Sequence, residues 1–300
     1  MPKPAGTRTS WKRLLEKQGY VQLPVAHDAL TAKLIELAGF PAYQIGGFAL
    51  EGTEFAYPDA DLTHLGEKSA CVERIIQATR LPVLVDADDG YGDAKNVTRT
   101  VRVYESMGVD AIFMEDQKPP KECGHMSGKV VVPPEAMVNK IQAAVAARHD
   151  PESFFILART DAREPEGLEK AIDRASRYRK AGADGVYIEG PQSERELEKV
   201  GEAFKGYPLA TSILERGGKT PWIAPKQLHK IGFTMLLYPT TVLFRVTYAI
   251  ERALKDLYNG KELDPSESVD MKQFEQIVDA PQWQKVQKTF GGGPNWDKGG

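Results

Sequence analysis

The alternation of short strand-like runs with amphipathic helical stretches constrains the fold of this chain more than any other feature. Eight such units follow one another along the sequence. The strand-like runs are residues 20–25, 42–45, 81–85, 111–114, 154–158, 185–188, 207–210 and 234–238. Alternating strands and helices are typical of βα units that form a parallel sheet. Eight units close naturally into a barrel, whereas a doubly wound sheet usually stops at about five or six strands.

The repeat pattern therefore predicts an α/β protein with a single (α/β)8 TIM barrel. The length of 300 residues would suit either one barrel or two ordinary domains, and the repeats favour the first. We place an N-terminal helical extension in residues 1–19, the barrel in 20–258, and a C-terminal helical segment with a loose tail in 259–300. Helices outside the eight units are expected at residues 11–18, 242–258 and 269–289.

The charge balance gives no electrostatic reason to expect nucleic acid or an anionic membrane surface as a partner. Lys and Arg number 39 and Asp and Glu number 42, for a net charge of -3. No apolar run approaches the ~20 residues that span a bilayer, and the N-terminus lacks the apolar stretch of a secretory signal. The two cysteines, Cys71 and Cys123, are too few for a disulfide framework. We therefore expect a cytoplasmic protein with neither nucleic acid nor membrane as a partner.

Acidic residues recur where the predicted strands end, and this is the end of a TIM barrel that carries the active site. The third strand leads into Asp86 and Asp88, which the alternation of a strand places on one face. Glu115 follows the fourth strand, Glu189 follows the sixth, and Asp59 lies in the loop after the second. Converging carboxylates raise each other's pKa unless a cation neutralises them. Oxygen ligands without histidine neighbours favour Mg²⁺, with Mn²⁺ possible, over Zn²⁺.

A single carboxylate at a strand end is as often a helix cap or a partner of lysine as a metal ligand. The metal prediction therefore depends on four of them at corresponding positions. Arg159, at the end of the fifth strand, is the cation expected to face this cluster and to bind a substrate carboxylate through two hydrogen bonds. A structural ion pair with Glu115 or Glu189 is compatible with that role.

The segment after the fourth strand, residues 121–129, is expected to be a loop over the site. Within it a thiol lies beside Lys121, His125 and the backbone of Gly124. Neighbouring cations lower the pKa of a thiol, so Cys123 is a candidate proton donor or acceptor. A cysteine and a histidine two residues apart also suit a soft metal, but no second Cys/His pair accompanies them.

Together these motifs resemble the isocitrate lyase and phosphoenolpyruvate mutase superfamily, and within it most closely methylisocitrate lyase and its short-chain relatives. The resemblance runs from about residue 20 to about residue 245. Its most specific pieces are Asp86-Ala-Asp-Asp-Gly-Tyr-Gly, Glu115-Asp-Gln, Cys123-Gly-His, Ala158-Arg-Thr-Asp-Ala and Gly218-Lys-Thr-Pro. It implies a barrel whose last helix is exchanged with a neighbouring subunit, in a homotetramer built from two such pairs.

The resemblance also implies roles for individual residues. Mg²⁺ would be held by Asp86, Asp88 and Glu115, partly through water, with Asp59 nearby. The substrate, a small α-oxo or α-hydroxy acid, would be bound by Tyr43, Gly46, Gly47, Lys121, Gly124, Arg159 and Glu189. Cys123 would be the acid that protonates the enolate left after bond cleavage, and Arg159, Asp59 and His125 complete the catalytic set.

Three positions depart from the family pattern. Ile45 stands where a serine usually precedes the paired glycines, and Glu122 stands where a lysine or arginine usually precedes the cysteine. Ile213 stands where lyases commonly have an asparagine. A pocket that loses a serine, a cation and an amide and gains an acid is poorly equipped for a third carboxylate. We therefore expect a smaller or more apolar substrate than methylisocitrate or isocitrate.

Three functions remain open from the sequence. The first is a carbon–carbon lyase that cleaves a small 2-hydroxy dicarboxylic acid, a substituted malate or a methylisocitrate-like acid, through a metal-stabilised enolate. The second is another reaction on the same site: decarboxylation or hydrolysis of oxaloacetate, or phosphonomutase or hydrolase chemistry on a phosphonopyruvate-like acid. The third is a non-catalytic barrel relative, which is disfavoured because folding alone requires only the hydrophobic pattern.

Overall fold

The fold is described from a computed structural model, which describes residues 9–121, 128–262 and 264–291. The chain forms two compact units, residues 1–245 and residues 246–300. The first unit contains eight parallel strands. They are β1 (Val21–Pro24), β2 (Tyr43–Ile45), β3 (Val83–Asp86), β4 (Ala111–Met114), β5 (Phe155–Thr160), β6 (Gly185–Ile188), β7 (Leu209–Ser212) and β8 (Met235–Tyr238).

The strands form one sheet in the order β1-β8-β7-β6-β5-β4-β3-β2. Its two ends are drawn together after β1, where Val25 bridges to Gln44 and the Ala26 N–H donates to the Gln44 carbonyl at 2.8 Å. The sheet is thus a nearly closed barrel, which confirms the predicted fold. Every predicted strand is present. Each buried apolar run lies between two other strands, with β1 and β2 joined by the Val25–Gln44 bridge.

Helices separate the strands in sequence. In chain order they are α1 (Trp11–Gln18), α2 (Ala29–Leu37), α3 (Gly47–Glu54), α4 (Leu65–Gln77), α5 (Ala94–Met107), α6 (Pro134–Ala147), α7 (Arg163–Glu166), α8 (Leu168–Lys180), α9 (Glu194–Ala203), α10 (Pro225–Ile231), α11 (Thr241–Tyr258), α12 (Met271–Ile277) and α13 (Ala280–Phe290). Among the residues that the structure describes, none of these helices has the length and apolar character needed to cross a membrane.

The helix α1 packs onto the apolar interior of the barrel. Trp11, Leu14 and Leu15 repeat at helical spacing and are buried in one cluster with Val21 and Leu23 of β1. Ser10 caps the helix by accepting the N–H of Arg13. The strands run away from this helix, so their C-terminal ends meet at the other end of the barrel, where their polar residues are gathered.

The second unit contains two short helices where the sequence pattern predicted one over residues 269–289. The helix α12 ends before Val278, and Asp279 adopts a left-handed φ of 58° ahead of α13. Pro281 explains the break, because it has no N–H to donate and its ring clashes with the carbonyl of a preceding turn.

Candidate active site

A cavity opens at the C-terminal ends of the strands and brings together residues that are far apart in sequence. Six of the predicted site residues line it: Gly46, Gly47, Asp59, Asp86, Arg159 and Glu189. The sequence reasoning did not single out the ten others that also line it: Gln44, Phe48, Ala49, Phe113, Tyr187, Ser212, Leu214, Leu237, Pro239 and Thr240. Five of the ten lie on strands, namely Gln44, Phe113, Tyr187, Ser212 and Leu237, and for these the sequence did not show which face of the strand points into the barrel.

Two carboxylates converge beside Gly47. Asp86 is the last residue of β3, and it accepts the Gly47 N–H at Oδ2 and the Asp88 N–H at Oδ1, both at 3.0 Å. Asp88 adopts a left-handed φ of 47°, which turns its side chain back toward the same point. A Cβ atom on Gly47 would lie 3.3 Å from Asp86 Oδ2 and 3.3 Å from Asp88 Oδ1.

Two buried lysines compensate Asp88. Lys68 Nζ contacts Asp88 Oδ2 and lies 2.9 Å from Glu51 Oε1. Lys121 Nζ contacts Asp88 Oδ1 and lies 2.6 Å from Asp59 Oδ1. Burial disfavours the charged carboxylate, but Lys121 and Lys68 outweigh it and lower the pKa of Asp88 to about 2.

Lys68 was not predicted, although the sequence carries a signal for it. It falls on the apolar face of α4, three residues after Leu65 and four before Val72, and it is buried with them. A lysine on the buried face of an amphipathic helix requires an acidic partner. The sequence could not say that the partners are Asp88 and Glu51.

The carboxyl groups of Glu115 and Asp86 have too few cations around them to keep their pKa values low. Burial raises the pKa of Glu115 well above its usual value, against the opposing effect of Arg159. Burial, and then Asp88, raise the pKa of Asp86. Glu115 Oε1 is buried without a hydrogen-bond partner among the described residues, and the Glu115 N–H donates to the Asp88 carbonyl at 2.8 Å.

These features bear on whether a divalent cation fits. Within residues 9–121, 128–262 and 264–291, no three His, Cys, Asp or Glu side chains are arranged so that they could hold a metal ion by themselves. The predicted ligands Asp86, Asp88 and Glu115 nevertheless offer carboxylate oxygens at one end of the barrel. Asp88 and Glu115 are buried, and Glu115 Oε1 has no hydrogen-bond donor among the described residues. Such a set fits a hard cation that keeps water or substrate in its remaining positions. We conclude that the residues fit a divalent cation with few direct protein ligands.

Arg159 extends from β5 into the acidic cluster. Its Nε and Nη2 donate to Asp161 at 2.9 and 3.0 Å, and its Nη2 lies 3.2 Å from Glu115 and 3.4 Å from Glu189. The predicted ion pairs with Glu115 and Glu189 are therefore present, and a third, with Asp161, was not predicted. Burial opposes the charge, but the three carboxylates outweigh it and raise the pKa of Arg159 well above its usual value.

Aromatic rings fix the plane of this guanidinium. Its Cζ lies 5.9 Å from the ring centre of Phe113 and 5.3 Å from that of Tyr187. The hydroxyls of Tyr187 and Ser212 each donate to Glu189, the second at 2.8 Å. Burial raises the pKa of Tyr187 well above its usual value, so this phenol stays a donor. Glu189 is therefore held in place by two neutral groups.

The position of Asp161 is fixed by residues that do not line the cavity. Its N–H donates to Asp116 Oδ1 at 2.9 Å, and Asp116 Oδ2 also accepts from Thr160 and Tyr178, at 2.7 and 2.6 Å. From the other side, Lys129 Nζ donates to Asp161 Oδ1 at 3.0 Å.

Some predicted residues do not lie at the cavity. Tyr43 is fully buried in the hydrophobic layer between the strands and the helices, as is Ile45, and the cavity-lining residue of β2 is Gln44 between them. Ile213 is buried in the corresponding layer near β7, so Leu214 faces the cavity in its place. The predicted loop residues Glu122, Cys123, Gly124 and His125 lie outside the described residues.

Comparison with known proteins supplies a family. The profile of the phosphoenolpyruvate phosphomutase family matches residues 11–258. The chain is 40% identical over 258 residues to 2,3-dimethylmalate lyase of Eubacterium barkeri, an alignment that covers 86% of this chain and 87% of that protein. It is 41% identical over 246 residues to 2-methylisocitrate lyase of Aeropyrum pernix, with 82% and 78% covered.

A solved structure of oxaloacetate acetylhydrolase, in complex with the inhibitor 3,3-difluorooxalacetate, superposes on this fold with a TM-score of 0.89. The sequence identity is 29%, and the superposition covers 94% of this chain and 96% of the other.

Proposed function

This chain belongs to the phosphoenolpyruvate phosphomutase family, and on that premise we propose that it is a Mg²⁺-dependent carbon–carbon lyase. Its substrate would be a small 2-hydroxy dicarboxylic acid, such as a substituted malate or a methylisocitrate-like acid. Two relatives that are 40% and 41% identical to this chain are named as lyases of such acids, 2,3-dimethylmalate lyase and 2-methylisocitrate lyase. The observation that carries the proposal is the meeting of Asp86 and the guanidinium of Arg159 in one cavity, with the buried Asp88 carboxylate beside Asp86 at Gly47.

The metal part of the proposal uses the residues that fit a divalent cation. Asp86, Asp88 and Glu115 would hold Mg²⁺, the hard cation that oxygen-only ligands prefer. When bound there it supplies a Lewis acid for the α-oxygen and carboxylate of the substrate.

The chain's own residues account for the remaining steps. Cleavage breaks the bond between the hydroxyl-bearing carbon and its neighbour, the hydroxyl loses its proton, and its oxygen becomes the carbonyl of an α-oxo acid. The bond's electron pair moves to the neighbouring carbon as an enolate. Arg159 pairs with a substrate carboxylate and stabilises this charge at a site from which water is largely excluded. Asp59, which lines the cavity, is our candidate acceptor for the hydroxyl proton.

Cys123 would protonate the enolate carbon and so complete the balance of protons. This role comes from the Cys123-Gly-His motif. His125 and Gly124 belong to the same motif, and Lys121 is bound to Asp59 and Asp88 at the described edge of this segment. We propose that the motif supplies the acid of the reaction.

A second candidate function is hydrolysis of an α-oxo acid such as oxaloacetate on the same site. The likeness to oxaloacetate acetylhydrolase over 94% of this chain favours it. Both reactions generate an enolate beside a carboxylate, so the same cation and the same arginine would serve either. The difference lies in whether water attacks a carbonyl or a hydroxyl gives up its proton.

The assembly and the compartment are also proposals. We infer a homotetramer made of two helix-swapped pairs, in the cytoplasm. The helix α11 supports the swap, because its apolar side chains Tyr248, Ile250, Leu254 and Leu257 are more than half exposed in the single chain. A neighbouring subunit would cover them.

The proposal is tested with a panel of acids. Purified protein and Mg²⁺ are incubated with 2-methylmalate, dimethylmalate, methylisocitrate, isocitrate, oxaloacetate and phosphonopyruvate, and the release of pyruvate, glyoxylate and oxalate is followed. We expect cleavage of a malate-type acid that EDTA and Cys123→Ser each abolish. The matched control is Cys71→Ser, which changes the buried thiol of α4 and should leave turnover intact. Turnover of oxaloacetate alone, indifferent to Cys123→Ser, would establish the hydrolase in place of the lyase.

A further inference from the structure

One oxygen of Asp161 is shared between two cations. Its Oδ1 accepts Arg159 Nη2 at 3.0 Å and Lys129 Nζ at 3.0 Å, while Oδ2 accepts Arg159 Nε at 2.9 Å. The side chains of Lys129 and Asp161 are 1% and 0% exposed. Lys129 is therefore buried in the layer directly behind the arginine that faces the cavity, and it does not line the cavity.

The charge count of this group explains what the second cation does. A carboxylate bound through both oxygens to one guanidinium would neutralise it, and a neutral pair attracts a substrate anion weakly. With Lys129 present, the group of Lys129, Asp161 and Arg159 has two cations and one carboxylate. Glu115 and Glu189 also lie beside Arg159, at 3.2 and 3.4 Å, so Lys129 makes the whole group two cations against three carboxylates instead of one against three. An anion in the cavity therefore meets one negative charge fewer when Lys129 is present.

The surroundings show that Lys129 is not needed to place Asp161. The Asp161 backbone is already held by Asp116, whose carboxylate is itself bound by Thr160 and Tyr178. Thr160, which precedes Asp161, is the last residue of β5 and also donates to Asp116. Asp161 is therefore held in position both by the strand and by Asp116. The contribution that only Lys129 makes is its charge and its share of Oδ1.

We propose that Lys129 is a positioning residue that keeps the charge of Arg159 available to the substrate carboxylate by sharing Asp161. The inference rests on the proposed function, in which Arg159 binds that carboxylate. It adds a residue outside the cavity to the specificity of this enzyme for anions.

Oxalate is the probe, because it is a planar dianion whose adjacent carboxylates resemble the carboxylate and carbonyl groups of the α-oxo acid product. Its affinity is measured calorimetrically in the presence of Mg²⁺ for the wild-type protein, Lys129→Met and Lys129→Arg. We expect Lys129→Met to weaken oxalate binding about tenfold, the size of effect that loss of one buried charge near the site produces. Lys129→Arg should restore most of the affinity. In turnover, Lys129→Met should raise KM more than it lowers kcat.

Two further variants separate an electrostatic role from a structural one. Arg148→Met removes another buried cation, which pairs with Asp184 at the opposite end of the barrel, and it should lower thermal stability without changing oxalate affinity. Lys129→Met combined with Asp161→Asn removes both charges, so oxalate affinity should return to within about threefold of wild type.

Each outcome decides the matter. Unchanged oxalate affinity in Lys129→Met, with normal binding by the wild-type protein, would overturn the role of Lys129 and leave the proposed function standing. Additive losses in the double variant would overturn it as well. A wild-type protein that binds no oxalate and cleaves no acid of the panel would overturn the proposed function and this inference together.

Discussion

The backbone N–H of Gly47 donates to Oδ2 of Asp86 at 3.0 Å, at a place where no side chain separates the helix α3 from the acidic end of β3. The absence of a Cβ is what permits this approach, because the nearest atoms to a Cβ at residue 47 would be Asp86 Oδ2, Asp88 Oδ1 and Lys121 Nζ, at 3.3, 3.3 and 3.5 Å. The glycine therefore preserves the space in which the carboxylates meet.

Gly47→Ala should consequently reduce activity far more than stability. The added methyl group would displace the Asp86 and Asp88 carboxylates by a few tenths of an ångström, and misplacement at a reacting centre costs up to roughly a hundredfold in kcat/KM. The matched control is Gly52→Ala in the same helix, where a Cβ meets nothing within 4 Å. Gly52→Ala should raise the free energy of unfolding by about 0.5–1 kcal/mol and keep full activity. Equal activity in both variants would contradict the proposed crowding.

Asp88→Asn should abolish Mg²⁺ binding and activity together. The substitution removes one negative charge and leaves the Lys68 and Lys121 ammonium groups beside the site, where they repel a cation. Loss of one partner from a buried ionic group also lowers the free energy of unfolding, by about 3 kcal/mol.

The measurement is a calorimetric Mg²⁺ titration beside a turnover assay. The matched control is Asp89→Asn: the next residue is also a buried aspartate, but its Oδ2 pairs with Lys140 at 2.9 Å and does not contact Lys68 or Lys121. It should retain Mg²⁺ binding. Retention of Mg²⁺ affinity in Asp88→Asn would remove this residue from the metal site.

Because His27 is a buried histidine, we expect the free energy of unfolding to fall at mildly acidic pH. It is buried after β1, near Thr31 and Asp28, and burial lowers its pKa, an effect that Asp28 opposes in part. In the unfolded chain histidine titrates near ~6.5, so between the folded and unfolded pKa values the unfolded state binds more protons. The stabilisation is therefore complete above about pH 6.5 and is lost as pH falls through the lowered folded pKa.

The test is the urea midpoint at pH 7.5 and pH 5.0. His27→Gln should lose less stability than the wild-type protein over this step, because the variant lacks the buried group that must take up a proton. The exposed His149 provides the control, and His149→Gln should keep the wild-type pH dependence. An unchanged pH dependence in His27→Gln would show that another group titrates.

The barrel was predictable because its signals are local and repeated. Each strand is a short apolar run, each is followed by a helix, and polar residues such as Asp86 and Arg159 stand where strands end. The rules of barrels then place those ends at one site. This reasoning required no knowledge of which side chain touches which.

When both faces of a strand are buried, the sequence could not show which of its side chains point into the barrel. In β2, Tyr43, Gln44 and Ile45 are all buried, so polarity does not distinguish the inward from the outward side. Tyr43 was placed at the cavity by resemblance and lies in the outer layer, whereas Gln44 lines the cavity.

Pairings between distant side chains were equally out of reach. Lys129 and Asp161 are 32 positions apart, and Lys68 and Asp88 are 20 apart. Each lysine has several acidic residues within a similar sequence distance, and only the packing of helices and loops on the barrel selects the partner. The partners of Arg159 are the exception: the pairs with Glu115 and Glu189 were expected because all three residues follow strand ends, whereas Asp161, two residues away in sequence, was missed.

Leu214 gives the last prediction, which concerns the choice of substrate. Its side chain lines the cavity with Leu237, and the turn that holds it depends on Gly218, where a Cβ would lie 2.4 Å from Leu214 Cβ. An aliphatic wall leaves a carboxylate without a hydrogen-bond donor. Leu214→Asn should therefore raise the ratio of kcat/KM for methylisocitrate over dimethylmalate by at least about tenfold, which is the size of effect that one added hydrogen bond to a charged group produces.

The matched comparison is with the neighbouring residue, which alignment to the lyases had placed in the position of the family's asparagine. Ile213 is buried in the layer between strands and helices, so Ile213→Val should lower the free energy of unfolding by about 0.5–1.5 kcal/mol and leave the ratio of the two acids unchanged. If Ile213→Val shifted the ratio while Leu214→Asn did not, the residue that faces the substrate would be Ile213. The measurement thus decides which of two adjacent side chains sets the size and charge of the acid that this barrel accepts.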